Sequence, residues 1–278
     1  MKAAAFAYER PSSLDVAIAL MAEAKGSAKI MAGGQSLGPM LNLRLVQPDL
    51  IIDITGLVEL KTAERSGDEL VIGACVTHGD IEDGRIPDVT RRAMQRVASG
   101  IAYRAVRNRG TIGGSLSHAD PAADWISALP ALGAKVRLRG PTGHRDLAIE
   151  DFMTGALESA LGDDELVEAV RVPVMAASAH WGYVKACRKP GEFAHAIAAV
   201  LIDPEAGTGR VVIGAIEAPP IVLADASPLF GGKITGNFKR EFVASAADTL
   251  LIKAGITDAT DRHIHVVILR RAIDEAAS

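Results

Sequence analysis

Two short segments of this chain carry a backbone suited to holding an anion. The first is Ala32-Gly33-Gly34-Gln35-Ser36-Leu37. The second is Thr111-Ile112-Gly113-Gly114-Ser115, led in by Asn108, Arg109 and Gly110. In each, a glycine pair lets the chain take positive φ and approach a ligand closely. Successive N–H groups in such a turn face one concavity that binds anions, and Ser36 or Ser115 adds a hydroxyl donor. A single glycine pair reads more simply as a plain turn between strand and helix. Two of them fit a clamp on one diphosphate, so the guest they imply is a dinucleotide. Neither segment is GxGxxG or GxxxxGK[ST], so a Rossmann nucleotide site and a P-loop phosphoryl-transfer site are both unsupported.

Carboxylates follow the second loop, in Ser117-His118-Ala119-Asp120-Pro121-Ala122-Ala123-Asp124. A carboxylate accepts hydrogen bonds from ribose hydroxyls or a nucleobase amino group, and it repels phosphate. Asp120 and Asp124 therefore suit the sugar or base part of a ligand rather than its diphosphate. Asp120 ahead of Pro121 also reads as a helix N-cap, and Asp124 as a carboxylate facing the helix dipole. His118, His180 and His195 are the candidates for a proton shuttle, should the chain oxidise a small molecule by itself. An ordinary surface or hydrogen-bonded histidine is the stronger reading for each.

Composition narrows the chemistry further. The 278 residues are 49% hydrophobic, enough to bury the core of one large or two modest domains. Lys and Arg total 30 against 34 Asp and Glu, with 4% aromatic residues. That balance lacks the basic footprint and stacking platforms of nucleic-acid binders. No apolar stretch approaches the roughly 20 residues that cross a bilayer, and residues 1–10 lack the pattern of a secretory signal. The expectation is a soluble, cytoplasmic protein. Cys75 and Cys187 cannot build a four-thiolate zinc or iron–sulfur site between them. His263 and His265, two residues apart, point to different faces of a helix. A redox centre in this polypeptide would be organic rather than metallic.

The elements that must position these residues are read from periodicity and punctuation. Residues 12–24 carry Leu14, Ala17, Ile18 and Met21 at helical spacing, with Ser12 or Ser13 as N-cap. Strands are expected at 29–32, 50–54, 69–76, 134–139 and 166–172, and helices at 87–99 and at 122–129, the latter stopped by Pro130. Residues 104–124 show no clean period and read as a long functional loop. The small-residue patch at 175–178 reads as a linker. Beyond it come strands at 182–188, 195–202 and 210–216, then helices at 239–253 and 261–276. Strands followed by helices suggest a separate α+β unit.

With both glycine segments in view, the chain resembles the FAD-binding medium subunits of the molybdenum hydroxylase family, such as those of aerobic carbon monoxide dehydrogenase. The resemblance runs end to end, from Phe6-Ala7-Tyr8-Glu9-Arg10-Pro11 through Val71-Ile72-Gly73-Ala74 and the Asp120-Pro121 segment to Leu269-Arg270-Arg271-Ala272. It implies an α+β fold. Two N-terminal subdomains (residues 1–55 and 56–175) would form an FAD site of the vanillyl-alcohol oxidase (PCMH) type, and a C-terminal α+β domain (179–278) would cover the isoalloxazine end.

It further implies that the first loop, Ala32, Gly33, Gly34, Gln35 and Ser36, and the second, residues 111–115 with Thr111, Gly113, Gly114 and Ser115, wrap the diphosphate, with Leu37 in the cofactor-binding set. Asp120 joins the cofactor-binding set, Asp124 approaches the flavin, and Leu166 packs on the adenine or flavin face. Lys185 matches a family lysine whose charge would tune the flavin, though it also reads as a solvated strand lysine. Phe193, in Arg188-Lys189-Pro190-Gly191-Glu192-Phe193, lies in a segment similar to a family loop near the flavin, but core packing is the stronger reading for it. Ser115 stands where some relatives carry Asn. Ala218-Pro219-Pro220-Ile221-Val222 lacks an Arg that often follows the proline.

The implied partners are a large subunit holding the molybdopterin centre and a small subunit holding [2Fe–2S] clusters, in a dimer of heterotrimers. This chain would be the terminal electron station, with no catalytic acid or base of its own. A self-contained FAD-dependent oxidoreductase is the alternative.

Overall fold

The computed structural model describes residues 2–278. Its N-terminal part is a three-stranded parallel sheet of β1 (Ala7–Glu9), β2 (Ala28–Met31) and β3 (Leu50–Asp53), in the order β1-β3-β2. Helix α1 (Leu14–Ala24) makes the crossover from β1 to β2, as parallel pairing requires. Ser13 caps it by accepting from the Val16 N–H at 3.3 Å. Its buried face, Ala17, Ile18 and Met21, joins a cluster with Ile52, Ile54, Leu57 and Leu166. Helix α2 (Leu37–Asn42) follows β2, with the first glycine loop between them.

The central part is a five-stranded antiparallel sheet. It comprises β4 (Ala63–Ser66), β5 (Glu69–Gly73), β6 (Lys135–Gly140), β7 (Gly143–Ala148) and, beyond the small hairpin of β8 (Met153–Gly155) and β9 (Glu158–Ser159), β10 (Leu166–Pro173). Its order is β4-β5-β10-β6-β7. Between β5 and β6 run α3 (His78–Glu82), α4 (Ala93–Ser99), α5 (Arg104–Arg107), α6 (Ile112–His118) and α7 (Asp124–Ala131). Every residue of α7 is buried.

The reason α7 is so enclosed lies in the third sheet. This is a meander of β11 (His180–Ala186), β12 (Ala196–Asp203), β13 (Thr208–Gly214) and β14 (Ile221–Leu223). Helix α7 packs on β12 and β13 so closely that a side chain at Gly214 would meet Ser127 Oγ at 1.9 Å. On β11 and β12 also lies α10 (Ala259–Ala276), preceded by α8 (Phe238–Glu241) and α9 (Ala244–Lys253). There Gly182 admits the Ala272 carbonyl, 1.9 Å from where a Cβ would stand. On α10, His265 is buried and His263 exposed, as the two-residue spacing requires.

Several expected elements differ from those observed. The helix expected over 87–99 begins only at Ala93. Asp88 accepts from the N–H groups of Thr90 and Arg92, and Arg91 and Arg92 take φ of 52° and 67°, which no α-helix tolerates. The long loop expected over 104–124 contains the two short helices α5 and α6. The helix expected over 239–253 is broken at Phe242, which is extended at φ −62°, ψ 123°. Its ring is buried against Phe230, with the Arg270 guanidinium 4.7 Å from its centre. Pro130 does not stop α7 but sits inside its last turn. Among the described residues no helix is long and apolar enough to cross a membrane.

Candidate functional site

The two glycine loops meet. A Cβ on Gly33 would lie 2.0 Å from the Arg109 carbonyl oxygen and 2.8 Å from the Gly110 Cα, so only glycine allows the first loop to rest on the lead-in to the second. Gly34 completes the turn at φ 69°. Gln35 spends its side chain inside the loop, its Nε2 donating to the Gly33 carbonyl at 3.0 Å. Ser36 stands at the N-cap of α2 without making a side-chain cap bond, which leaves its hydroxyl for a ligand. Among the described residues none accepts a backbone hydrogen bond from the N–H of Gln35, Ser36 or Leu37. These amides are left free to donate to a ligand, as an anion nest requires.

The second loop is built differently. Thr111 pairs with Thr77 in an isolated bridge and caps α6, its Oγ1 accepting from Gly114 N–H at 3.1 Å. Ile112 N–H donates to Val76 O, Gly113 N–H to Ala74 O and Ser115 N–H to Thr111 O. The expected second nest of free amides is therefore absent. Gly113 is needed for packing, because a Cβ there would lie 2.5 Å from that of Ala74. What this loop offers a ligand is hydroxyl chemistry and a close-fitting wall.

Between the loops opens a cavity of about 780 Å³, within the roughly 300–1,000 Å³ typical of ligand pockets. Ala32, Gly33, Gly34, Gln35, Ser36, Leu37, Thr111, Gly113, Gly114, Ser115, Asp120, Asp124 and Leu166 all line it. Lys185 does not. Its Nζ donates to Asp124 Oδ1 at 2.8 Å and to the Gly100 carbonyl at 2.8 Å. Tyr183 donates its hydroxyl to the same Oδ1 at 2.7 Å. Burial, with the Asp124 carboxylate beside it, pushes the Tyr183 hydroxyl far above its ordinary range, so it stays a donor. Lys185 is thus neither solvated nor at the cavity wall; it holds the carboxylate that is.

Asp120 does not cap α7, whose N-cap is Ala123. Its carboxylate accepts from Ala122 N–H at 2.9 Å and faces the cavity from that turn. Phe193 is 70% exposed and lines the cavity, which overturns the core-packing reading. Its loop is pressed onto Ala102, whose oxygen would lie 2.2 Å from a Cβ on Gly191. His118 lines the cavity, while His180 and His195 lie away from it; the His180 ring rests on Phe238.

Among the residues of the cavity wall that the sequence reading did not single out, the one with titratable chemistry at its buried end is His78. It is buried at the start of α3, and its Nδ1 accepts from the Trp125 indole N–H at 3.1 Å. Burial, together with the positive charge of Arg107, pushes its pKa down to about 4. The only sequence hint was Thr77 with Asp80, a capping box that starts a helix at His78.

The cavity fits FAD on its own evidence. A run of amides without backbone acceptors among the described residues, beside the Ser36 hydroxyl, suits the diphosphate. Apolar side chains of Ile30, Met40, Ile54, Ile101 and Leu161 suit the flat rings. Carboxylates at Asp120 and Asp124 suit hydroxyl and ring N–H groups.

Comparison with known proteins agrees with this geometry. Residues 4–175 match the FAD binding domain in molybdopterin dehydrogenase. The chain is 36% identical to the caffeine dehydrogenase subunit beta of Pseudomonas sp. strain CBB1, over 85% of this chain and 82% of that one. It is 34% identical to the carbon monoxide dehydrogenase medium chain of Hydrogenophaga pseudoflava, over 88% and 86% respectively. A solved structure of carbon monoxide dehydrogenase from Hydrogenophaga pseudoflava superposes with a TM-score of 0.89 at 31% identity, covering 99% of this chain and 98% of that one. That of quinoline 2-oxidoreductase from Pseudomonas putida 86 gives 0.87 at 32% identity, covering 100% and 98%. The chain belongs to the molybdenum hydroxylase family, as an FAD-binding oxidoreductase subunit of its medium-chain type.

Proposed function

We propose that the chain binds FAD between its two glycine loops and serves as the terminal electron station of a three-subunit molybdenum hydroxylase. The observation that carries this is the contact of Gly33 with Arg109 and Gly110, which brings both loops to one cavity. When bound, FAD supplies the redox chemistry that takes electrons in from one side and gives them out on the other. The chain's own residues bind and orient it. The amides of residues 35–37 and the Ser36 hydroxyl hold the diphosphate. Thr111 and Ser115 close on it from the second loop, and Gly113 and Gly114 let that wall come close. Asp120 and Asp124 accept hydrogen bonds from the cofactor's sugar or ring groups. Leu166 packs beneath a ring, and Phe193 covers the outer edge. Tyr183 and Lys185 fix Asp124 and act on the cofactor through it.

The [2Fe–2S] clusters and the molybdopterin centre would sit in a small and a large partner subunit, assembled as a dimer of heterotrimers in the cytoplasm. Two free cysteines, one of them buried, fit a reducing compartment and a chain without clusters. We take residues 1–55 and 56–175 as the two FAD-binding subdomains and 179–278 as the C-terminal domain; the three larger sheets and the β8–β9 hairpin, each complete within one of these spans, support that division.

The test is an absorbance spectrum of the purified chain, with the released cofactor identified after denaturation. FAD bound or readily taken up, and then reduced by the partner subunits but not by small substrates, is the expected result. Reduction by a small substrate alone would favour a self-contained oxidoreductase. Uptake only in the assembled complex would mean the partners complete the site. No uptake in either form would overturn the proposal.

A further inference from the structure

Among the described residues His78 has a hydrogen bond on one ring nitrogen only. Its Nδ1 accepts from Trp125 Nε1, and Trp125 is fully buried, so this bond is shielded from water. An imidazole nitrogen that accepts carries no proton. In the neutral ring the proton therefore sits on Nε2, and Trp125 fixes that tautomer. The residue is 5% exposed, and what remains open faces the cavity it lines. A side chain at Gly110 would lie 3.0 Å from Nε2, which puts this edge of the ring against the lead-in to the second glycine loop. His78 N–H donates to the Gly110 carbonyl at 2.9 Å, so the same loop holds the backbone that carries the ring. The ring is thus locked on one side and presents one oriented donor on the other. Such a donor, open to the cavity and with no partner among the described residues, is available to a ligand acceptor.

We propose that His78 is a further cofactor-binding residue, whose neutral imidazole donates its Nε2–H to an oxygen of FAD where the second glycine loop meets the cavity. This rests on the reading of the cavity as the FAD site. The oxygen belongs to the diphosphate or to the flavin, and the chemistry asked of His78 is the same in both. The second loop has committed the amides of residues 112–115 to the fold, and a side-chain donor beside it supplies what those four amides do not. Because burial and Arg107 hold the ring neutral, the donor is present across the ordinary pH range without carrying a charge.

The experiment is FAD titration of the full chain, or of the assembled complex if only that takes FAD, for wild type, His78→Phe and His78→Gln. His78→Phe keeps a ring without a donor and should weaken FAD binding about tenfold, the scale of one lost hydrogen bond. His78→Gln keeps an N–H within similar reach and should recover most of that. Competition by ADP and by FMN assigns the oxygen: loss confined to ADP marks the diphosphate, loss confined to FMN the flavin. In parallel, long-range proton–nitrogen NMR of the wild type should show a bare Nδ1 and a protonated Nε2, with the Nε2–H resonance moving when FAD is added. That readout stands even if a variant fails to fold. Equal FAD affinity in all three proteins, or an Nε2–H signal indifferent to FAD, overturns the inference and leaves the FAD site intact. A wild type that takes no FAD in either form overturns the reading of the cavity instead.

Discussion

Replacing Lys185 by Met tests whether the lysine works on the cofactor or on Asp124. Its ammonium lies 2.8 Å from Asp124 Oδ1, and the two side chains are 13% and 9% exposed. The pair is therefore nearly dry. Removing one member of a buried pair leaves the other charge uncompensated and costs about 3–5 kcal/mol. The Tyr183 hydroxyl on the same oxygen softens that loss without cancelling it. Unfolding entropy of about 2.1 cal/mol/K per residue, applied to 278 residues, is roughly 0.6 kcal/mol/K. The single variant should then melt about 5–9 °C lower in differential scanning calorimetry. In Asp124→Asn the uncompensated charge is the lysine's, which can turn toward water, so its loss should be smaller. The double variant holds no buried charge at this point and should melt above Lys185→Met. A Lys185→Met protein that melts with the wild type, or a double variant whose loss equals the sum of the two singles, would refute the coupling. FAD affinity in Lys185→Met should fall together with that of Asp124→Asn, because both disturb one cavity-facing carboxylate.

Gly33→Ala places a methyl 2.0 Å from a backbone oxygen that cannot rotate away. The loops must part, and FAD affinity should fall more than about tenfold in a flavin titration, the factor set by one misplaced group in a preorganised site. His78 has a sign that can be worked through. Its folded pKa, about 4, lies below the value of 6.5 for a free histidine, so the unfolded chain binds the proton first. Its contribution to stability is full above pH 6.5 and is lost as pH falls toward 4, by up to about 3 kcal/mol. His78→Gln should remove that component, so denaturant melts of the two proteins should diverge in slope against pH only within that window.

How much of this was legible follows the physics of each segment. Residues with strong local signals lie close to where their periodicity put them: α1 begins after Ser13, and β3, β10 and β12 form at their apolar runs. The glycine loops were visible because two glycine pairs each lead into a serine, a repetition that one plain turn does not explain. What sequence could not give was set by distant contacts. Helix 87–99 fails at its start because Asp88 bonds local amides in competition with the helix. Phe242 interrupts a good helical pattern to bury its ring under Arg270. Lys185 could be matched to a family position, but nothing nearby in sequence shows that Asp124 and Gly100 absorb its charge. His78 meets Trp125 only across the fold.

The two glycine pairs look alike on paper and are used in opposite ways, and this difference can be measured. In the first, glycine admits a neighbouring backbone and leaves the amides of Gln35, Ser36 and Leu37 without backbone acceptors among the described residues. In the second, glycine admits Ala74 and the amides of Ile112, Gly113, Gly114 and Ser115 are all bonded within the fold. Amide exchange requires the hydrogen bond to open, so protection tracks local bonding. In the FAD-free chain the amides of residues 112–115 should therefore exchange slowly and those of 35–37 fast. Adding FAD should slow the first loop by a large factor and change the second little, since its bonds exist already. Mass-spectrometric or NMR exchange at these two segments reads the contrast directly. Equal protection of both loops before FAD, or a gain concentrated at 112–115 after it, would mean that the second loop is the nest and the first merely a turn.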